Sequence, residues 1–344
     1  MLYLISDDYN PQTELLKKIA RKNGIKCRNL CPKDPQFTVS ISPEEILLCG
    51  SRPEKGSVFF LSGVYYRFPF GPALKPSADW TFFQDFHLSQ QQQTSQLYSL
   101  LYILSSKKNE YTVINDFSLS LNLTSRHEVL MRLKDAGLSV PELCLTNSLS
   151  EARLMFNRLG GILWSSPDSM TPVREIGSEK LEELFNAGSL ALPHLMYEPK
   201  RGSLLRLTFF EDNPLLISLI SPPERGAFKE ELEKFTHYIP QPVLKNMGKT
   251  LFRLLGMSFY EAFGVLDDSG NFWFYDVSFD PNISYMDQAA QTYTLSCLLE
   301  GMLKKSGLEK KIPRKPVIQG KRKTIFLKRM LVHLFEIQQN QELR

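Results

Sequence analysis

The sequence predicts an α/β fold, and three observations predict it. Leu2 to Ile5, an amphipathic run from Thr13 to Lys22 stopped by Asn23-Gly24, and Ile25 to Leu30 make a βαβ opening, the unit of a parallel sheet. An apolar run ending at Leu266, the turn Asp267-Asp268-Ser269-Gly270 and the aromatic-rich Phe272 to Val277 make a hairpin closed by Asp280-Pro281. Between these ends, helical periodicities alternate with short apolar runs.

Taken in order, Ser6-Asp7-Asp8 is the expected cap of the first helix, and the turn there lacks a Gly-x-Gly-x-x-Gly phosphate loop. Val58 to Tyr66 reads as a strand running into Tyr65-Tyr66-Arg67, and Asp85 to Ser105 as a helix whose glutamines form a polar face. Val113-Ile114-Asn115-Asp116 closes the first part of the chain. Ser125 to Leu138 is helical, stopped near Gly137, then comes an extended segment to Asn147 and a helix capped by Ser148 or Ser150 that runs through Phe156. Gly161 to Ser166, Leu192 to Tyr197 and Leu204 to Phe210 read as strands, Leu244 to Leu255 and Gln288 to Lys305 as helices. Beyond Pro313 and Pro316, Thr324 to Gln339 has the pattern of a basic amphipathic helix, suited to a membrane surface, a partner or its own domain.

With 344 residues, 42% of them hydrophobic, the chain can bury a core of ordinary size. No apolar run approaches the roughly 18 to 20 residues of a membrane span, and the expected location is the cytoplasm. Five scattered cysteines fit reduced thiols better than a disulfide framework, and Cys27 and Cys31 lack a second ligand pair for zinc. The net charge of +4 hides an asymmetry: from Lys304 onward there are twelve Lys or Arg against three Glu. That tail is either a solvated, solubilising end or a surface for nucleic acid, an acidic peptide or anionic lipid. Few aromatics interleave its charges, which disfavours base stacking.

Asp276 and Ser278 lie two apart at a strand exit, so period-two alternation sets both oxygens on one face. The spacing suits magnesium beside a triphosphate, and equally two solvent-facing polar residues. From its strand alone, Arg206 reads as an outward arginine paired to Glu211 or Asp212.

Asp276-Val277-Ser278-Phe279-Asp280-Pro281 resembles the signature of the final hairpin of the ATP-grasp ligases, an acid, a hydrophobe and an asparagine followed by proline. The Gly137-Leu138-Ser139-Val140-Pro141 segment ending in Thr146-Asn147, with Glu151-Ala152 and Phe156 after it, resembles the entry to the ATP-grasp domain of the ligases that cyclise microviridin-type ribosomal peptides. Tyr65-Tyr66-Arg67 is similar to an element that precedes that domain, and the more general relatives are ligases adding glutamate to a ribosomal protein.

The resemblance implies a pre-ATP-grasp βα domain over 1–116, ATP-grasp subdomains over 117–190 and 191–305, and a basic helical tail over 306–344. It implies ATP and two magnesium ions forming an acyl phosphate that an amine or alcohol attacks. It assigns Arg206 to the acyl phosphate, Met196, Tyr197 and Glu198 to the adenine-bonding hinge, and Asp276 and Ser278 to metal. Four positions depart from it. Trp164 stands where a lysine is expected, the loop 165–178 has only Gly177, the first hairpin acid falls at Phe263 or Gly264, and Ser278 replaces asparagine. Two functions follow: a degenerate ATP-grasp protein keeping its cleft to bind a peptide or a partner, such as an active ligase, with no cofactor; or an active ligase using ATP and magnesium on a peptide or protein. A homo-oligomer is compatible with either.

Overall fold

Strand β1 (Leu2–Ser6) is buried along its whole length because it runs in the middle of a parallel sheet, which leaves no face for polar residues. The computed structural model describes residues 1–6, 10–32, 34, 36–42, 45–62, 80–115, 125–165, 174–186, 194–221, 234–240 and 244–314. Helix α1 (Pro11–Lys22) starts two residues before the expected Thr13, since Asn10, not the Ser6-Asp7-Asp8 group, caps it and Pro11 suits a first helical turn. Strands β2 (Cys27–Leu30), β5 (Val58–Ser62) and β6 (Thr112–Ile114) complete the order β2-β1-β5-β6, all parallel. An unanticipated hairpin, β3 (Val39–Ile41) and β4 (Ile46–Leu48), lies between β2 and β5, and helix α2 (Trp80–Ser106) follows β5. Tyr65-Tyr66-Arg67 and the segment 315–344, with its expected amphipathic helix, lie outside the described residues.

Helix α3 (Arg126–Asp135), capped by Ser125, leads into a second, antiparallel sheet. Its strands are β7 (Leu143–Thr146), β8 (Ile162–Ser165), β9 (Arg174–Ile176) and β10 (His194–Tyr197), in the order β7-β10-β8-β9. Helix α4 (Leu149–Leu159), capped by Ser148, and the unanticipated α5 (Ser178–Asn186) cover one face through Ala152, Met155 and Leu181 against Met196.

The third sheet is built from β11 (Ser203–Phe210), β12 (Asn213–Ser221), β13 (Lys234–Tyr238), β14 (Phe259–Leu266) and β15 (Phe272–Ser278), in the order β13-β12-β11-β14-β15. Helix α6 (Leu244–Leu255) packs Leu251 and Leu255 against Leu205, Leu207 and Phe209 on one face. On the other, Phe210, Leu216 and Phe259 meet Leu295, Leu298 and Met302 of α7 (Gln288–Lys305). Asp267 shapes the β14–β15 turn by accepting from the Asn271 N–H and the Trp273 indole.

Asn115 bolts the parallel sheet to this one. Its amide donates to the carbonyls of Phe259 and Phe279 at 2.7 Å each and accepts the Phe259 N–H at 2.6 Å. The residue is 1% exposed and adopts φ of +61°, a left-handed conformation that Asn tolerates better than most residues. Asn115→Ala removes three bonds and strands buried backbone groups, so chemical denaturation is expected to show a loss of about 2–4 kcal/mol. A loss below about 1 kcal/mol would show that the bolt is not structural.

Candidate functional site

Register lays a polar stripe across the third sheet. His237, Ser218, Arg206, Phe263 and Asp276 form one row from edge to edge, and Thr208, Glu261 and Ser278 form the next. Asp276 and Ser278 therefore lie on one face, as their spacing predicts, and share it with Arg206. The pairing shifts between Phe263 and Gly264, so that Phe263 faces Asp276 while Gly264 faces Phe274. Tyr275 is the extra, bulged residue, and a bulge re-aims the side chain it carries. No side chain fits at Gly264, where a Cβ would lie 2.2 Å from the Trp273 carbonyl.

Each acid of the stripe has an arginine. Arg126, at the start of α3, meets Asp276 Oδ1 through Nε at 2.9 Å. Arg206 meets Glu261 Oε2 through Nη1 at 3.2 Å, with its guanidinium over the Tyr285 ring at 4.7 Å. Glu261 also accepts from the hydroxyls of Tyr285 and of Thr208. Arg206 is thus paired across strands to Glu261, not to the neighbouring Glu211, which instead bonds Lys305. Burial pushes the Glu261 and Asp276 carboxyls above the usual carboxylate range, against the pull of Arg206 and Arg126 respectively. Phe263 and Gly264, where the resemblance expects an acid, carry none; Glu261 stands two residues before Phe263, on the same face and opposite Ser278.

The hinge residues separate. Met196 packs beneath α4 and α5, away from the stripe. Tyr197 lies on the opposite side of its sheet, edge-on to Tyr275 with ring centroids 5.3 Å apart, and its hydroxyl faces Arg126. The Glu198 N–H donates to the Glu142 carbonyl at 2.8 Å, and the Glu198 carbonyl accepts the Tyr275 hydroxyl at 2.8 Å. That hydroxyl in turn accepts the Lys200 N–H at 2.9 Å. In β8, position 164 pairs with Met196, whereas positions 163 and 165 pair with Tyr197 and Leu195.

Magnesium takes near-octahedral oxygen ligation, usually from one or two carboxylates plus phosphate and water. Here both carboxylates are engaged by guanidinium groups, and among the described residues no cluster of three or more His, Cys, Asp or Glu can hold a metal. The Ser278 hydroxyl is buried and has no hydrogen-bond partner among the described residues. Among the described residues, the donor set as arranged does not fit a magnesium ion.

At the far end of the row, His237 Nδ1 lies 2.9 Å from Ser218 Oγ and its Nε2 lies 3.8 Å from Asp287, the N-cap of α7. Burial holds His237 below the ordinary imidazole range, only partly offset by Asp287. Its folded pKa is lowered, so the unfolded chain binds more protons, and the contribution is present above about 6.5 and lost as pH falls through the folded value. Thermal unfolding is expected to show a smaller acid-induced fall in Tm for His237→Asn than for the wild type between about pH 7 and 5. An equal fall would clear His237 of that role.

No family model matches the sequence, and no curated protein sequence matches it. Solved structures do. The ATP-grasp ligase PsnB complexed with a minimal precursor, Mg and ADP superposes with a TM-score of 0.71 at 15% identity, covering 89% of this chain and 97% of that one. The macrocyclase MdnC from Microcystis aeruginosa, bound with the precursor peptide MdnA, gives 0.66 at 11% identity over 87% and 100%. A RimK-domain ATP-grasp protein from Sphaerobacter thermophilus gives 0.51 at 13% identity over 86% and 97%. This chain has the ATP-grasp fold.

Proposed function

We propose that this chain is a degenerate ATP-grasp protein whose cleft serves as a peptide- or partner-binding module in a peptide- or protein-modification pathway. The observation that carries the reading is the Arg126–Asp276 ion pair. A guanidinium from α3 sits on the acid that the fold would give to metal, so the carboxylate is neutral in sum without any ligand. The peptide side of the reading draws on the neighbours of similar fold, which were solved with precursor peptides. The domain limits 1–116, 117–190 and 191–305 are part of the same proposal; the parallel sheet lies within the first and the striped sheet within the third, while β10, inside the third, pairs with β7 and β8 of the small antiparallel sheet.

A second reading, an ATP-dependent ligase acting on a peptide or protein through an acyl phosphate, is favoured by one observation. Glu261 restores an acid to the face that Asp276 and Ser278 share. Calorimetry and thermal shift with millimolar ATP, with and without magnesium, decide between the two. The first reading expects no magnesium-dependent response from the wild type. A response that disappears in Asp276→Ala would establish the second, because a ligand bound only by the folded state raises Tm by mass action.

The ion pair has its own signature. Arg126→Ala leaves a half-buried carboxylate, 22% exposed, unpaired and is expected to lower stability by about 1–2 kcal/mol, while adding Asp276→Asn returns roughly half of that. Additive losses in a denaturation double-mutant cycle would mean that Arg126 is not the resident counter-ion of Asp276.

A further inference from the structure

The Glu198 carbonyl and the Lys200 N–H converge on one atom, the Tyr275 hydroxyl oxygen, at 2.8 and 2.9 Å. A backbone acceptor and a backbone donor aimed at one place are the complement of the adenine edge, where an amine donor sits beside a ring-nitrogen acceptor. A phenol hydroxyl holds one donor and two lone pairs, so it plays both parts at once. We propose that Tyr275 is the specificity-determining residue of the cleft, an internal plug that fills a purine-reading fork. The proposal deepens the reading above and rests on it: the wild-type cleft takes no nucleotide because the chain's own side chain already makes the base's contacts.

The placement is built rather than incidental. Tyr275 is the bulged residue of β15, turned out of the row that holds Asp276, and it is 1% exposed. Its ring packs edge-on against Tyr197, and burial holds its phenol in the protonated form that donates to Glu198. Lys200 is fixed from its other side, with its ammonium 4.0 Å above the Trp273 ring and paired to Glu198. The fork therefore stays formed with no ligand present.

Tyr275→Ala opens a cavity beside the intact fork, and thermal unfolding of the full chain is read with three probes. These are p-cresol, which replaces the lost ring and hydroxyl, adenine, and purine, which lacks the exocyclic amine. The expected result is that p-cresol and adenine each raise Tm by about 2 °C at roughly tenfold excess over Kd, with purine well below adenine. A rise with p-cresol but no preference for adenine over purine overturns the proposal. Should Tyr275→Ala not fold, Tyr275→Phe keeps the ring and removes only the hydroxyl. Amide exchange at Lys200 must then accelerate at least tenfold, and unchanged protection overturns the plug. Magnesium-dependent ATP binding by the wild type would overturn both the function proposed above and the plug, whereas a wild type that takes no ATP together with a Tyr275→Ala variant that does not prefer adenine over purine overturns the plug alone.

Discussion

The arrangement turns on two carboxylates held on a covered sheet face. Glu261 is 4% exposed, and a bare carboxylate at such a depth costs several kcal/mol unless it is paired or neutralised. The chain meets the cost with arginines from two different places. Arg206 comes from the adjacent strand, one row over, and Arg126 comes from the first turn of α3, more than a hundred residues upstream of Asp276. The second pairing has a long reach. It ties the segment entering the small sheet to the last strand of the large one, and the Phe274 N–H donating to the Ser139 carbonyl at 2.9 Å adds a backbone tie beside it.

Apolar packing decides where that polar face can exist. At the α7 end of the same face, Phe210, Leu216 and Phe259 are covered by the helix, which approaches so closely that a Cβ at Gly301 would lie 2.5 Å from the Phe210 ring. The stripe begins where this cover stops, at Thr208 and Glu261, and the Asn115 bolt sits at the boundary. Ser62 and Asp280, 3.4 Å apart, extend the join between the parallel sheet and the hairpin exit. Dry packing at one end thus fixes the height at which buried charges must be balanced at the other.

Much of this was legible in the sequence where one physical signal dominated. The closing hairpin and α6 are legible because turn residues or a strong 3.6 periodicity mark them, and α7 because Leu295, Leu298, Leu299 and Met302 recur at helical spacing. Strands β12 and β13 and helix α5 are not. Pro214 argues against a strand until it is seen as the second residue of β12, where the pairing with β11 shifts register between Thr208 and Phe209. Glu261 carried a signal that went unused: one acid inside the otherwise apolar run from Phe259 to Leu266 must find a partner when buried. Arg126 read only as the start of a helix, since nothing local connects it to Asp276. The bulge that frees Tyr275 has no local mark either, because it follows from the fit of two strands.

The fold and the site respond to different parts of the sequence, and this separates them. Apolar periodicity, a few glycines at close approaches and the Asn115 clamp specify the architecture, and none of them needs a ligand. A metal-dependent site depends on charges that stay unbalanced until the ligand arrives. In this chain Arg126, Arg206, Asp276 and Glu261 sum to zero, and the hinge carbonyl and N–H already share the Tyr275 hydroxyl. Displacing any one of these contacts leaves a buried group unsatisfied, at a cost of about 1–3 kcal/mol each before a ligand gains anything. Under the function proposed above, a partner that uses the cleft therefore does best by binding around those contacts, not by replacing them.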